Sequence, residues 1–218
     1  MKQAKCNLIF GMAFLMAFGV WTALILYVDV RHIGVSGTSV GLSALNGWFH
    51  SLTGVRMWLY TLTDWLGLVP IAICTVFGAM GLLQWIGRRR LLLVDHDILL
   101  LGIYYILVIT GYLVFESIPV HYRPILIDGR MEASYPSSTT LLTLGVMPTL
   151  VFEVKRRVSP MAARRVICFV AWFFCAFVVM GRLLSGVHWL CDIVGASLLS
   201  MGLYCLFVAA TLRCDEKV

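Results

Sequence analysis

Residues 181–192 of this chain, GRLLSGVHWLCD, place an arginine, a histidine and an aspartate inside an otherwise apolar region. An ionisable side chain at membrane depth is costly, and for that reason it marks a functional site by default. Arg182, His188 and Asp192 also have a spacing that suits phosphate chemistry. The apolar segments on either side of this stretch decide the fold, and its polar residues are the first candidates for a site.

The composition is that of an integral membrane protein. Hydrophobic residues make up 61% of the 218 residues and charged residues only 13%, against about 25% charged residues in a soluble domain. The formal net charge of +6 does not indicate a nucleic-acid partner, because the basic residues stand mainly at the ends of apolar segments. We expect a membrane lipid as the partner.

Seven cysteines are scattered through apolar runs and near basic flanks, without a CxxC pair or a regular spacing. This pattern supports neither a zinc site nor a disulfide framework. We expect thiols that act as small hydrophobic side chains, and we predict no metal site and no cofactor.

Six apolar segments predict transmembrane helices, each of which needs about 20 mostly apolar residues. The first is longer than the apolar core of a signal peptide and has no clear cleavage site, so it is expected to be retained. The predicted fold is an all-α polytopic membrane protein with one domain, residues 1–218. The segments are 8–28, 66–86, 98–115, 138–152, 166–180 and 190–212.

An even number of membrane helices puts both termini on the same side of the membrane. That side collects twelve of the 17 lysines and arginines, Lys217 among them, which predicts cytoplasmic termini. The basic runs at 88–90 and 155–165 are then topology anchors, with an anionic-lipid site as the alternative.

The segment 38–60 predicts a short amphipathic helix in the outer membrane interface. Three tryptophans, Trp48, Trp58 and Trp65, are typical of an interfacial aromatic belt. The segment either anchors the fold or guides a lipid headgroup toward a site. The apolar residues that recur at helical spacing are Leu42, Leu45, Phe49 and Leu52. The polar residues that fall on another face are Ser43, Asn46 and His50.

Polar residues of the outer side fall into three segments, 121–124, 134–140 and 181–192. Arg123 and Arg182 offer planar forks that match phosphate oxygens. Pro136, followed by serines and threonines, predicts the first turn of a helix, and helix N-termini bind phosphate. The alternative is that both arginines only anchor helix ends at the headgroup level.

His188 and Asp192 are four residues apart, so on a helix they would share a face. The carboxylate would then hold one ring nitrogen and leave the other free to attack phosphorus. Gly186 would let the backbone approach closely. A purely structural hydrogen bond between the two side chains is the alternative.

Taken together, these segments resemble the three signature segments of the type 2 phosphatidic acid phosphatase and vanadium haloperoxidase superfamily. The usual forms of those segments are KxxxxxxRP, PSGH and SRxxxxxHxxxD. The resemblance covers residues 116–192 in detail, and the six-helix layout extends it to the whole chain. The matching positions are Arg123-Pro124, Pro136-Ser137-Ser138 and Gly181-Arg182-x5-His188-x3-Asp192.

The resemblance implies a metal-independent membrane phosphatase that acts on a polyprenyl or glycerolipid phosphate or diphosphate at the extracytoplasmic face. His188 would be the nucleophile that forms a phosphohistidine, and Asp192 would orient it. A peroxidase is not suggested, because the chain is almost wholly membrane-embedded. The phosphate oxygens and the negative charge of the transition state would be bound by Arg123, Arg182, Ser137 and Ser138.

Three positions depart from the signatures. Glu116 stands at the position of the lysine, Gly181 at that of a serine, and Thr139 at that of the histidine that protonates the leaving oxygen in the family. Loss of a general acid slows a step by about 10²–10⁴-fold for a poor leaving group, and by less for a diphosphate. His121 and Glu132 are the local candidates for a substitute acid, with a headgroup-level histidine and a plain loop carboxylate as alternatives.

The departures leave three functions open. The chain is an active lipid phosphatase, a degenerate member that binds or transports lipid phosphates, or an enzyme that transfers phosphate between lipids.

Overall fold

The computed structural model describes residues 1–216. Lys217, one of the twelve basic residues assigned to the side of the termini, lies outside this range. The chain is helical over 77% of its residues, and within the described range it has no strand. This confirms the predicted all-α class. The helices are α1 (Lys2–Tyr27), α2 (Ser43–Thr53), α3 (Met57–Leu66), α4 (Leu68–Arg88), α5 (His96–Ser117), α6 (Ser138–Arg157), α7 (Met161–Leu184) and α8 (Leu190–Asp215).

Five segments among the described residues are long and apolar enough to cross a membrane. The second of them joins α3 and α4 through Gly67 and begins nine residues before the predicted 66–86. The predicted fourth span, 138–152, is α6 and does not qualify. Helix α6 starts with serines and threonines and ends with charges, and its side chains are mostly buried by neighbouring helices. It therefore needs little lipid-facing apolar surface. The five segments that qualify are Lys2–Tyr27, Met57–Arg88, His96–Ser117, Met161–Leu184 and Leu190–Asp215.

Helix α2 is shorter than the predicted 38–60. Leu42 precedes the helix in the left-handed region, with φ of 49°, and Gly54 ends it. The polar face packs on the protein, because the buried Asn46 donates to the Gly41 carbonyl at 2.8 Å and accepts from the Cys191 N–H at 3.2 Å. The apolar side chains of this helix, such as Leu52, are exposed.

Helix α8 is the centre of the bundle. It packs along α1 and also contacts α5 and α6. Glycines allow the close approach of α1 and α8: a Cβ on Gly11 would lie 2.8 Å from Leu206 Cδ2, and one on Gly202 would lie 2.7 Å from Leu15 Cδ2. Small residues have this role in membranes because lipid supplies no hydrophobic force between helices.

Ion pairs join α5, α6 and α8 at one end of the bundle. Arg157 lies 2.8 Å from Asp97 and 3.2 Å from Asp95, and Arg156 lies 2.8 Å from Asp215. Two cations of the basic run 155–165 are therefore paired with carboxylates of the same chain.

Helix α3 reaches the other end of the bundle by packing tightly on α7. A Cβ on Gly181 would lie 2.5 Å from Thr63 Cγ2, closer than packed atoms approach. The loop before α3 meets the loop after α7 as well, since the Arg56 N–H donates to the Ser185 carbonyl at 2.9 Å. Gly186, with φ of 67°, sits against the backbone of Gly54. The close approach expected at Gly186 is thus to the protein's own chain.

Replacing Gly181 with serine, the residue usual at this signature position, should destabilise the protein. The added side chain meets the buried Thr63, and overpacking of this kind costs about 1–3 kcal/mol in the free energy of unfolding. Thermal unfolding in detergent measures the effect. The matched control is Gly78→Ser on α4, where nothing lies within 4 Å of an added Cβ. Equal melting temperatures for the two variants would contradict this packing.

Candidate active site

The site is built around Asp192, the third residue of α8. Its Oδ2 accepts a hydrogen bond from the Trp189 N–H at 2.9 Å, so the carboxylate caps the first turn of its own helix. The Ser134 hydroxyl donates to the same oxygen. Asp192 is wholly buried, and a buried carboxylate is stable only when its oxygens are bonded in this way.

His188 contacts Asp192 although the two residues do not share a helix. Their common helix face was predicted wrongly, because α8 begins at Leu190. The capping carboxylate turns back toward the residues before the helix, and Nδ1 of His188 lies 3.3 Å from Oδ2. Nε2 of His188 is buried and has no hydrogen-bond partner among residues 1–216. The ring is therefore held by one nitrogen with the other left available.

The charge state of His188 follows from its surroundings. Burial, together with the positive charges of Arg123 and Arg182, lowers the pKa of His188 to about 4, although the hydrogen bond to Asp192 opposes this. The imidazole is therefore neutral at physiological pH. A neutral Nε2 keeps the lone pair that a nucleophile needs.

His121 lies on the other side of the same carboxylate. Its Nε2 is 2.6 Å from Oδ1 of Asp192, and the ring is buried. Asp192 thus stands between two imidazoles, one on each oxygen. In this position His121 holds Asp192 in place, whereas the sequence suggested it as an acid for the leaving group.

Three side chains at this point, His121, Cys191 and Asp192, have ligand atoms within 4.8 Å of one another. Two nitrogen or oxygen ligands on tetrahedral zinc stand roughly 3.3 Å apart, given metal–ligand bonds near 2 Å. The Nε2–Oδ1 separation of 2.6 Å is that of a hydrogen bond. The three residues would have to spread before they could hold a metal ion.

Two arginines lie beside His188 on the ring of Tyr60. The guanidinium carbon of Arg123 is 5.5 Å from the ring centroid and that of Arg182 is 4.7 Å from it. Nε and Nη1 of Arg123 and Nε of Arg182 are buried and lack partners within the described chain. Buried N–H groups of a cation need acceptors, so this cluster is suited to an anion.

Each arginine also has partners within the chain. Nη2 of Arg182 donates to Thr139 Oγ1 at 2.6 Å and to Asp64 Oδ1 at 3.1 Å. Nη2 of Arg123 is 3.2 Å from Glu132 Oε2, so Glu132 holds Arg123 in the structure. Asp64 was not predicted from the sequence, because it falls between the predicted segments 38–60 and 66–86. An acid in an apolar helix such as α3 is nevertheless a signal that could have found it.

The N-terminus of α6 completes the cluster. The helix begins at Ser138 with Ser137 as N-cap, so Pro136 precedes the cap instead of standing in the first turn as predicted. The Ser137 N–H donates to the Asp192 carbonyl at 3.3 Å, while its Oγ is buried without a partner in residues 1–216. The first-turn N–H groups from Ser138 onward have no acceptor within the helix and carry the positive end of its dipole.

A small cavity of about 10 Å³ lies beside His188 near the end of α5. Its lining includes Glu116, Ser134, Ser138 and His188. Glu116 is exposed on α5, so a carboxylate borders this cavity where the resembled signature has a lysine.

The spacing of these residues matches a known family. A family model described as the PAP2 superfamily matches residues 97–215, which is more than half of the chain. The chain belongs to the PAP2 superfamily. The match covers His121, Arg123, Thr139 and both residues of the His188–Asp192 pair.

The whole fold agrees with this PAP2 assignment. The structure is similar to that described as "Crystal structure of the first transmembrane PAP2 type phosphatidylglycerolphosphate phosphatase from Bacillus subtilis", with a TM-score of 0.62 and 16% sequence identity. The similarity covers 95% of this chain and 96% of that one. At this identity the likeness concerns the fold. No curated protein sequence gives a significant match.

The depressed pKa of His188 predicts a pH-dependent stability. An unfolded histidine takes up its proton near pH 6.5, whereas folded His188 does so only near pH 4. Between these values the unfolded state binds more protons, so stability falls as the pH is lowered, by about 3 kcal/mol in all. Above pH 6.5 the contribution is constant.

Melting temperatures in detergent between pH 7.5 and about 4 test this linkage. The melting temperature of His188→Gln should fall less steeply than that of the wild type. His32→Gln, in an exposed loop, should follow the wild type. Parallel curves for all three proteins would rule out a buried neutral His188.

Proposed function

We propose that this PAP2 protein is an integral-membrane lipid phosphatase that removes phosphate from a lipid phosphate or diphosphate through a phosphohistidine. One observation carries the proposal. The neutral His188 has a buried Nε2 without a partner in residues 1–216, and buried N–H groups of Arg123 also lack acceptors there. A nucleophile beside a buried anion site is what attack on a phosphoryl group requires.

In the first step Nε2 of His188 bonds to phosphorus and the bond to the leaving oxygen breaks. The ring becomes positive as it does so, and the carboxylate of Asp192 at Nδ1 stabilises that charge. Arg123, Arg182 and the first-turn N–H groups of α6 bind the phosphoryl oxygens, whose negative charge grows in the transition state. Water then attacks phosphorus, breaks the P–N bond and releases phosphate.

The membrane arrangement of this site is also part of the proposal. Helix α6 crosses the membrane as the fourth of six spans along the chain and is enclosed by the other five. Helix α2 lies in the outer interface with its exposed leucines toward lipid. Both termini are cytoplasmic, the active site is extracytoplasmic, and residues 1–218 form one domain. The polyprenyl or glycerolipid tail of the substrate stays in the bilayer while its phosphate binds beside His188, between Arg123, Arg182 and the N-terminus of α6.

A second candidate follows from Thr139. The Thr139 hydroxyl accepts a hydrogen bond from Arg182 and cannot protonate a leaving oxygen. Without that proton the chain would bind a lipid phosphate and not hydrolyse it. Transfer of the phosphoryl group to another lipid is the third outcome.

Phosphate release from a lipid panel separates these functions. The panel contains phosphatidic acid, phosphatidylglycerol phosphate and prenyl mono- and diphosphates. Wild-type protein in detergent should release inorganic phosphate, and His188→Ala should lose the activity by at least about 10³-fold because the nucleophile is gone. His32→Ala, outside the site, should retain it.

Three results would contradict hydrolysis through His188. Turnover that survives His188→Ala would exclude the phosphohistidine. Tight lipid binding without phosphate release would favour the second candidate. Appearance of the substrate's labelled phosphoryl group on a second lipid would favour transfer.

Reporter fusions in a bacterial host test the topology. A fluorescent protein fused after residue 218 should fluoresce in the cytoplasm. Alkaline phosphatase inserted in the exposed loop at 128–130 should be active, because it forms its disulfides only outside the cytoplasm. The opposite pattern would put the active site on the cytoplasmic face.

A further inference from the structure

Asp64 occupies the side of the site on which Thr139 replaces a proton-transferring residue. One nitrogen of Arg182, Nη2, donates to both Thr139 Oγ1 and Asp64 Oδ1, at 2.6 and 3.1 Å. The two side chains are thus neighbours on one guanidinium. A carboxylate transfers protons near neutral pH and a threonine hydroxyl does not.

A glycine brings Asp64 to this point. Gly181 lets α3 pack on α7 at Thr63, the residue before Asp64, because an added Cβ would lie 2.5 Å from Thr63 Cγ2. At the other end of α3, Gly67 is near α6, with an added Cβ 3.4 Å from Thr139 Cγ2. The glycine that replaces the usual serine therefore makes room for α3 and its carboxylate.

Asp64 is exposed and faces a cation, whereas the other carboxylate of the site, Asp192, is buried. The Asp64 side chain is 56% exposed and pairs with Arg182. A carboxylate that is held by a guanidinium on one side is suited to accept a proton from water on the other.

We propose that Asp64 is the general base that activates water for hydrolysis of the phosphohistidine, a role that rests on the function proposed above. The water oxygen bonds to phosphorus as the P–N bond to His188 Nε2 breaks. The proton of the water goes to the Asp64 carboxylate and then to bulk solvent. Inorganic phosphate leaves, and Arg182 holds both the base and the phosphoryl group.

This assignment also fixes the substrate class. The Asp64 carboxylate is paired with Arg182, and a carboxylate has no proton to give in the first step, so the leaving group must depart as a stable anion. A lipid monophosphate leaving from a diphosphate does so, whereas a lipid alkoxide leaving from a monophosphate does not. The preferred substrate is therefore a lipid diphosphate.

The test compares wild type, Asp64→Asn and the control Asp128→Asn, all with farnesyl diphosphate labelled in its terminal phosphate. Asparagine keeps the shape of the side chain and an oxygen for Arg182, so the variant should fold. Loss of a base slows its own step by about 10²–10⁴-fold. Asp64→Asn should therefore turn over slowly and accumulate close to one labelled phosphohistidine per chain after an alkaline quench.

Asp128 lies in an exposed loop between α5 and α6, and Asp128→Asn should match the wild type. Wild-type protein should also cleave farnesyl phosphate at least about 100-fold more slowly than farnesyl diphosphate. Label should be absent when His188→Ala is added to Asp64→Asn.

Unchanged turnover in Asp64→Asn would overturn the role of Asp64, and so would slow turnover without labelled protein, which indicates that Asp64 only positions Arg182. Equal rates on both farnesyl substrates would overturn the substrate class. Both results leave the lipid phosphatase in place. Wild-type protein that cleaves no member of the lipid panel would contradict the proposed function itself, and the role of Asp64 with it.

Discussion

The hydrogen bonds to the two carboxylate oxygens of Asp192 are the interaction on which the rest of the site depends. One oxygen caps α8 and holds His188 and Ser134, and the other holds His121. An unpaired charge at this depth would cost several kcal/mol, so the buried carboxylate depends on these partners together. His121 and Ser134 both belong to the loop between α5 and α6, and the carboxylate therefore also docks this loop on the bundle. Arg123 enters the site because it follows His121 by two residues.

A second constraint is the crowding of two cations on one tyrosine ring. Arg123 and Arg182 would repel each other if they stood alone, and each pairs on its outer side with a carboxylate, Glu132 or Asp64. Their inner N–H groups are left without acceptors in the described chain. The outer pairs hold each guanidinium from one side, and the N–H groups left without acceptors are suited to an anion. Tyr60, from α3, is the flat support for both.

Sequence patterns predicted most of the helices, and they named residues that the structure brings together around Asp192, because hydropathy and motif spacing are local signals. They failed where a contact depends on packing. His188 and Asp192 meet through a helix cap and not across a helix face, and the span predicted at α6 does not qualify by hydropathy, since the polar side chains of that helix are covered by other helices. Tyr60 carries no local signal, and Asp64, although it is an acid in an apolar helix, falls between the predicted segments 38–60 and 66–86. Only the glycine at position 181 indicates that another helix approaches there, and this became interpretable once Thr63 was seen against it.

The pairing of α1 with α8 has a consequence for how the protein is made. Helix α8 follows every other helix of the described residues, and its main partner α1 precedes them all. During synthesis α1 therefore stays in the bilayer with its glycine face uncovered until α8 emerges. His188 and Asp192 come with α8, so the contacts around the buried carboxylate form only at that late stage, and a nascent chain that stalls earlier lacks them.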